Sequence, residues 1–117
     1  MTEFNPVSIE AAIKDCYNRI ANGVKVCDQR YQAFQEADHA YDIAFAHAMV
    51  DLDGAAYLKK FKAELATVAE RKARDTADAA YRYADRLAKA LESELRALQS
   101  VGASVRAAYS VAGTGEH

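Results

Sequence analysis

The sequence contains very little that interrupts a helix. Pro6 is the single proline, tryptophan is absent, and glycine occurs five times in 117 residues. There is no run in which β-branched and aromatic residues alternate with polar ones, so the pattern excludes a β-rich fold. Alanine is abundant instead, and it loses no side-chain entropy in a helix. We therefore predict an all-α protein that forms one domain over residues 1–117.

Long apolar runs are also missing. No stretch approaches the ~20 apolar residues that span a bilayer, and residues 1–8 lack the basic start and apolar core of a signal peptide. These absences predict a cytoplasmic protein without membrane contact, in the host cytoplasm if a phage encodes it. Cys16 and Cys27 are eleven residues apart on one predicted helix, which is too far for a disulfide. We interpret them as small apolar residues that pack in the core.

Recognisable catalytic and cofactor-binding motifs are absent as well. The sequence has no glycine-rich phosphate loop and no cysteine pair at zinc spacing. Glu36 and His39 have the Glu-x-x-His spacing of di-iron bundles, but such sites need a second motif and two further glutamates. We predict that the protein is not an enzyme and uses no metal or cofactor.

Two long amphipathic segments dominate what is present. The first is predicted as a helix over about residues 8–50, with Ser8 as a candidate N-cap and an uninterrupted path through Gly23. Residues 51–67 are predicted as a crossover that begins with the stop and turn Asp51-Leu52-Asp53-Gly54 and continues as either a short helix or an ordered loop. The second helix is predicted over about residues 68–110, with a flexible tail at 111–117.

The start and the far end of the second helix have local patterns of their own. Thr67 and Glu70 have the spacing of a capping box, in which each side chain accepts a hydrogen bond from the other residue's backbone N–H. Gly102, within Ser100-Val101-Gly102-Ala103-Ser104, marks a place where the second helix either bends or continues straight.

Each helix carries an apolar seam with spacings of three and four, typical of helices that pack side by side. Asp38 interrupts the first seam, where a polar residue sets register or oligomeric state, or pairs with a base across the interface. In the second helix Glu94 falls on the strict heptad, so the seam is expected to shift onto Leu95. The first seam is Ile13, Cys16, Ile20, Val24, Cys27, Tyr31, Phe34, Asp38, Tyr41, Phe45, Ala48 and Leu52. The second is Ala77, Ala80, Ala84, Leu87, Leu91, Leu95 or Leu98, Val101, Val105 and Ala108.

The apolar surface of each helix is wider than one seam, with flanking positions such as Tyr17, Ala44 and Tyr83. A wide apolar stripe needs more than one neighbouring helix. We therefore predict a long antiparallel helical hairpin, coiled-coil-like, that assembles with copies of itself into an oligomeric helical bundle or ring. The predicted interface residues are Tyr31, Phe34, Asp38, Tyr41, Phe45, Leu87, Leu91 and Leu98.

Charge is unevenly distributed, although the formal net charge is only −2. Residues 1–53 carry nine acidic and four basic side chains, whereas residues 54–117 carry eight acidic and eleven basic ones. Basic groups contact phosphates and aromatic rings stack on unpaired bases, so Tyr57 and Phe61 among the lysines point to single-stranded nucleic acid. The alternative is a solvated face that keeps the crossover soluble. The predicted nucleic-acid-binding residues are Lys59, Lys60, Lys62, Arg71, Lys72 and Arg74.

The order of elements over about residues 40–113 resembles small helical proteins encoded by phages of actinobacteria. It is more distantly similar to the UvsY-type recombination, repair and single-stranded DNA-binding proteins of tailed phages. The resemblance lies in three stretches: Lys60-Phe61-Lys62-Ala63-Glu64-Leu65-Ala66-Thr67, then Tyr81-Arg82-Tyr83-Ala84, and Leu98-Gln99-Ser100-Val101-Gly102-Ala103-Ser104-Val105-Arg106-Ala107-Ala108-Tyr109.

This resemblance implies a homo-oligomeric recombination mediator that binds single-stranded DNA without sequence preference. It also implies that the protein helps a recombinase to load past a single-strand-binding protein. Such proteins tend to carry basic residues near the end of the first long helix, where this chain has only His47. The alternatives are a helical module that binds a host or phage protein, and a structural coiled-coil part of an assembly such as the virion.

Overall fold

The computed structural model describes residues 4–115, which form three α-helices and no strand. They are α1 (Pro6–Asp51), α2 (Ala56–Ala66) and α3 (Val68–Gly115). The predicted all-α class is confirmed, and α1 continues through Gly23 as expected. The segment after the turn is helical, which decides between the two alternatives for residues 55–66. α3 is helical as far as Gly115, beyond the start of the tail predicted at residue 111; residues 116–117 lie outside the described residues.

Asn5, not Ser8, is the N-cap of α1. The backbone N–H of Ser8 donates to Asn5 Oδ1 at 2.9 Å, and the N–H of Asn5 donates to Ser8 Oγ at 3.0 Å. This reciprocal pair is a capping box with Pro6 at the first helical position, where its missing N–H leaves no hydrogen bond unmade. Ser8 is thus three residues inside the cap, because the helix starts one turn earlier than the apolar pattern indicated.

Gly54 turns the chain between α1 and α2. α1 ends at Asp51, as predicted, and Gly54 has a φ of +134°, a conformation that strains any residue with a Cβ. Lys62 on α2 points back toward this turn, and its ammonium donates a hydrogen bond to the carbonyl oxygen of Asp53 at 2.8 Å. This contact fastens the turn to the helix that follows it.

Thr67 separates α2 from α3, but not through the predicted capping box. Its hydroxyl donates to the carbonyl oxygen of Ala63 at 2.7 Å, so it closes α2 instead of accepting an N–H of α3. The carbonyl of Thr67 accepts the N–H of Arg71 at 3.0 Å and starts the α3 ladder. Glu70 Oε2 is buried and has no hydrogen-bond partner among the described residues. Thr67 is 3% exposed, and the bond to the carbonyl four residues back satisfies its buried hydroxyl within α2.

The fold divides into two compact units, which we call the terminal unit (residues 4–25 and 86–115) and the central unit (residues 26–85). Within the terminal unit, α1 and α3 lie antiparallel. Ile9 contacts Gly102 near the ends, and further along α1 the thiol of Cys16 donates to the carbonyl oxygen of Leu91 at 3.4 Å. Ile9, Cys16 and Leu91 are 1%, 0% and 7% exposed and form this unit's core.

Polar contacts border the core of the terminal unit. Arg19 donates to Glu94 Oε1 at 2.7 Å and to Asp15 Oδ2 at 3.1 Å. The hydrogen bond to Glu94, together with both carboxylates' charge, raises the pKa of Arg19 above its usual value. An arginine is effectively always protonated in a protein, so the ion pairs of Arg19 do not depend on its own titration.

Gly102 lies against Ile9 of α1 without room for a side chain. A Cβ on Gly102 would lie 2.9 Å from Ile9 Cγ2, closer than side chains pack, whereas one on Gly23 would meet only Leu91 Cδ1 at 3.9 Å. α3 is helical across Gly102. The sequence left open whether the helix bends at this residue; the structure shows there a contact that needs the absence of a side chain.

The central unit also holds α1 against α3 in antiparallel order. Tyr31 meets Tyr81 with ring centroids 5.2 Å apart, and Asp38 faces Arg74, which lies earlier in α3. Together with α2, these contacts are consistent with a helical hairpin. Phe34, Tyr41 and Phe45 are half-buried, whereas Ala63 and Ala84 are buried. The small side chains of the two alanines let the helices pack closely.

Four positions of the predicted seams are exposed: Val24, Tyr31, Leu87 and Ala108. At two of them the seam is displaced onto a neighbouring residue. Val24 is 66% exposed and Leu87 is 49% exposed, while their neighbours Gly23 and Ala88 are half-buried. An α-helix has about 3.6 residues per turn, so a strict heptad drifts by about 20° per repeat along a straight helix. Leu95 and Leu98 are both half-buried and Glu94 is exposed, which confirms the expected shift onto Leu95.

Candidate nucleic-acid interface

The three predicted lysines of α2 lie on different sides of the helix. Lys60 is exposed, Lys59 is half-buried, and Lys62 is exposed but donates its ammonium to Asp53. Residues three apart lie about 60° apart around a helix and successive residues about 100°, so Lys59 and Lys62 share one side and Lys60 lies on another. The three do not form one basic face. Lys60 is therefore the lysine of α2 with the freest access to a phosphate.

The aromatic residues of α2 share its outer face. Tyr57 and Phe61 are one turn apart and 76% and 59% exposed, and Leu65 continues the row at 77%. Ala63, on the opposite side, is buried, so α2 packs through small residues and presents its largest apolar side chains to solvent. Lys60 and Lys62 flank the row on its two sides. The structure thus places two exposed rings next to a free ammonium, as the sequence suggested.

Arg74 is engaged within the chain. Its guanidinium carbon lies 4.5 Å from the centroid of the Tyr41 ring, and its Nη2 is 3.1 Å from Asp75 Oδ1. Nη1 is 4.0 Å from Asp38 Oδ1. Asp38 thus lies near a basic side chain of its own chain, and its role in setting register or oligomeric state stays a prediction. With two carboxylates and a ring around it, Arg74 has little capacity left for a phosphate.

Arg71 and Lys72 are exposed on the first turns of α3 and line a shallow depression of about 390 Å³ with Val68, Asp75, Thr76 and Ala79. Lys72 also lies at a second, larger groove of about 570 Å³ between α1 and α3. This groove is lined mainly by small side chains and bordered by basic ones. Its lining is Arg30, Ala33, Ala69, Lys72, Ala73, Thr76, Ala77 and Ala80.

Arg30 was not among the residues predicted from the sequence. It is exposed, lies on α1 in the acidic half of the chain, and shares a groove with Lys72 of α3. The local sequence around Arg30 does not indicate a binding residue, because Arg30 comes close to Lys72 only through the register between α1 and α3. The α1–α3 spacing of aromatics could have suggested that register, through the Tyr31–Tyr81 pair.

The predicted interface residues differ in how much surface they offer to a second copy. Leu91 is covered by its own chain, at 7% exposed, so it has almost no surface left for a second copy. Tyr31 and Tyr41 contact Tyr81 and Phe45 in the same chain, although Tyr31 remains 42% exposed. Leu87 is the most exposed member of the set, at 49%. The half-buried members are Phe34, Asp38, Tyr41, Phe45 and Leu98.

The described residues hold neither a cluster of metal ligands nor a helix that could span a membrane. Within residues 4–115, no three His, Cys, Asp or Glu side chains converge as metal ligands would, and Glu36 and His39 have no partners for such a site. In the same residues no helix has the combined length and apolarity to cross a bilayer.

Comparison with known proteins leaves the surface itself as the guide to function. No family model, no curated protein and no solved structure matches the chain.

Proposed function

We propose that the protein is an oligomeric recombination mediator that binds single-stranded DNA without sequence preference, on the outer face of α2 and the first turns of α3. The observation that supports this most directly is the exposure of Tyr57 and Phe61 on one face beside Lys60. Arg71 and Lys72 extend the basic surface onto α3. The resemblance to UvsY-type proteins adds the partners: a recombinase and a single-strand-binding protein.

The chemistry of this face suits an unpaired strand better than a duplex. An exposed ring offers its face to any unstacked base, and stacking contributes about 1–3 kcal/mol per base without regard to sequence. Lys60, Arg71 and Lys72 supply three charges for phosphates, which is few for one chain. Several copies presented together would convert such weak contacts into avid binding. Self-association is therefore part of the proposal.

Fluorescence anisotropy with labelled oligo-dT at low salt tests the proposal. We expect binding at micromolar protein, and log K that falls linearly with log salt because counterions are released from the phosphates. Tyr57→Ala with Phe61→Ala should weaken binding at least tenfold. Tyr109→Ala is the matched control, since Tyr109 is 56% exposed and lies more than thirty residues further along α3 than Lys72. No binding by the wild-type protein would refute the proposal.

Charge is tested separately from stacking. Lys60→Glu should weaken binding and flatten the salt dependence, whereas Lys25→Glu, an exposed lysine of α1, should change neither. Helix content by circular dichroism should be the same in all variants, because each altered side chain is exposed. Equal losses from Lys60→Glu and Lys25→Glu would show that only net charge matters and that α2 holds no site.

The second candidate is a module that binds another protein through α2. The observation in its favour is that the apolar row continues through Leu65 and Val68, which are 77% and 45% exposed and cannot stack on bases as rings do. An amphipathic face of this kind suits a groove on a partner. Leu65→Lys distinguishes the candidates: it should preserve or strengthen DNA binding, but abolish docking of an apolar partner surface.

A further inference from the structure

We propose that copies of this chain join head to tail. An apolar stripe on α1 of one copy, flanked by acidic residues, packs into the groove between α1 and α3 of the next copy, whose edges are basic. The inference rests on the self-association in the proposed function and gives it an interface. Both surfaces belong to the central unit, so every copy carries one of each.

The groove has the form of a seat for a helix. Its lining is mostly alanine from α1 and α3, and its volume is about 570 Å³. Alanine side chains let a third helix approach closely, near the short end of the usual 8–10 Å between packed axes. Ala33, Ala69 and Ala73 are exposed, so the apolar surface is uncovered in the single chain. Arg30 and Lys72 give the groove's edges positive charge.

The stripe lies on the outer side of α1. Ile43 and Val50 are two turns apart and 59% and 78% exposed, with the small exposed Ala46 between them. They point away from α3, because Tyr41 and Phe45 occupy the half-buried side of the same turns. The titratable side chains around the stripe are Glu36, His39, Asp42, His47 and Asp51, all exposed, with three carboxylates and no lysine or arginine.

Charge complementarity selects a second copy as the occupant. The groove carries two basic side chains at its edges, and the stripe carries three acidic ones at its own. Seating Ile43 and Val50 among the groove alanines removes two large aliphatic side chains from water, at roughly 25 cal/mol per Å² of apolar surface. The carboxylates then come near Arg30 and Lys72. The contact joins two different surfaces, so it is heterologous and extends into a ring or a filament.

Two monomeric variants test the interface by complementation. In the first variant, Arg30→Glu reverses a charge at the edge of the groove and Ala73→Trp fills the groove, while the stripe is unchanged. In the second variant, Ile43→Lys with Val50→Lys replaces the apolar side chains of the stripe by positive charges, while the groove is unchanged. We expect wild-type protein to sediment well above the 12.8 kDa of one chain, and each variant to sediment as one chain. An equimolar mixture of the two should form a complex of two chains and nothing larger, because only one complementary pair of surfaces remains.

The controls separate this contact from general surface effects. Val7→Lys with Val24→Lys adds the same charges at two other exposed apolar positions of α1, and should leave the assembly intact. Arg30→Glu alone is a second groove variant, in case the tryptophan disturbs folding; it should raise the dissociation constant of the assembly at least tenfold. Variants that assemble as the wild type does, a mixture that stays monomeric, or dissociation in the control would each overturn the proposal.

Oligo-dT binding keeps this test independent of the proposed DNA site. The variants leave Lys60, Tyr57, Phe61 and Arg71 unchanged, so they should still bind, with lower apparent affinity because avidity is lost. Lys72 borders both the groove and the proposed DNA surface, so the stripe variant, which does not alter the groove, is the cleaner of the two in this measurement. A wild-type protein that assembles but does not bind oligo-dT would refute the DNA proposal and leave the interface standing. A wild-type protein that binds oligo-dT as a single chain at high micromolar concentration would refute the interface and the proposed self-association, and would leave the DNA site on α2 standing.

Discussion

The guanidinium of Arg74 lies over the ring of Tyr41, 4.5 Å from its centroid, and joins α3 to α1 in the central unit. The side chain of Arg74 is 29% exposed and also contacts Asp75 and Asp38. A cation over a partly desolvated ring is stabilising, and Asp75 and Asp38 hold the guanidinium in place. Arg74, which was predicted to contact nucleic acid, is thus part of the packing of α1 on α3.

Arg74→Ala should lower the free energy of unfolding by about 1 kcal/mol, the sum of a cation–π contact and weak ion pairs. Arg74→Lys should recover only part of this loss, since an ammonium lacks the planar fork that stacks and pairs at once. Urea denaturation measures both. A double-mutant cycle with Tyr41→Leu should give a coupling of about 0.5–1 kcal/mol. Arg74→Ala with unchanged stability would contradict this account.

The two glycines inside the long helices should respond oppositely to alanine. Gly102→Ala should destabilise by about 1–3 kcal/mol, because its Cβ would press on Ile9 Cγ2, with part of the loss offset by better helix propensity. Gly23→Ala meets nothing closer than 3.9 Å and should stabilise by up to about 1 kcal/mol. Thermal unfolding compares them directly. Adding Ile9→Ala should make Gly102→Ala less harmful than it is alone.

The α1 cap gives a third measurable effect. Asn5→Ala removes the oxygen that accepts the Ser8 N–H, and should lower stability by about 1 kcal/mol. Asn22→Ala is the matched control, because Asn22 is exposed inside α1, where alanine favours the helix. Chemical denaturation with both variants is sufficient. A loss of equal size in the control would show that the cap contributes nothing.

The two thiols should differ sharply in reactivity. Cys16 is fully buried and donates to Leu91, whereas Cys27 is partly exposed, and both are free. A thiol reagent under native conditions should therefore label Cys27 first, and Cys16 only as the terminal unit opens. Mass spectrometry after timed labelling gives the two rates. If Cys16 were labelled as fast as Cys27, α1 and α3 would have to be separated at the contact between Cys16 and Leu91 for much of the time.

The sequence predicted the parts of the fold that depend on local chemistry. The path of α1 through Gly23 follows from the apolar period that continues on both sides of it, and the stop before Gly54 follows from the backbone that glycine allows; both were predicted. Thr67 was predicted to cap α3, but its hydroxyl donates to the carbonyl of Ala63 and closes α2. Both are local bonds that a threonine can make, and the spacing of Thr67 and Glu70 alone does not decide between them.

The candidate site was less predictable than the fold. Tyr57, Phe61 and Lys60 were correctly expected at the surface, because a short amphipathic segment leaves few other places for them. The roles of Lys62 and Arg74 depend on partners nine and more than thirty residues away, Asp53 and Asp38, and could not be assigned from their own neighbourhoods. The position of Arg30 beside Lys72 depends in the same way on the alignment of α1 with α3.

The partition of the chain also orders its folding. The central unit is one continuous stretch, so none of its contacts needs a residue from either end of the chain. The terminal unit joins residues 4–25 to residues 86–115, and its contact between Cys16 and Leu91 spans seventy-five residues. Until that contact forms, Ile9 and Cys16 have no cover from their own chain. Closing so long a loop comes late in folding, so an intermediate in which only the central unit has formed would expose these two side chains to other apolar surfaces.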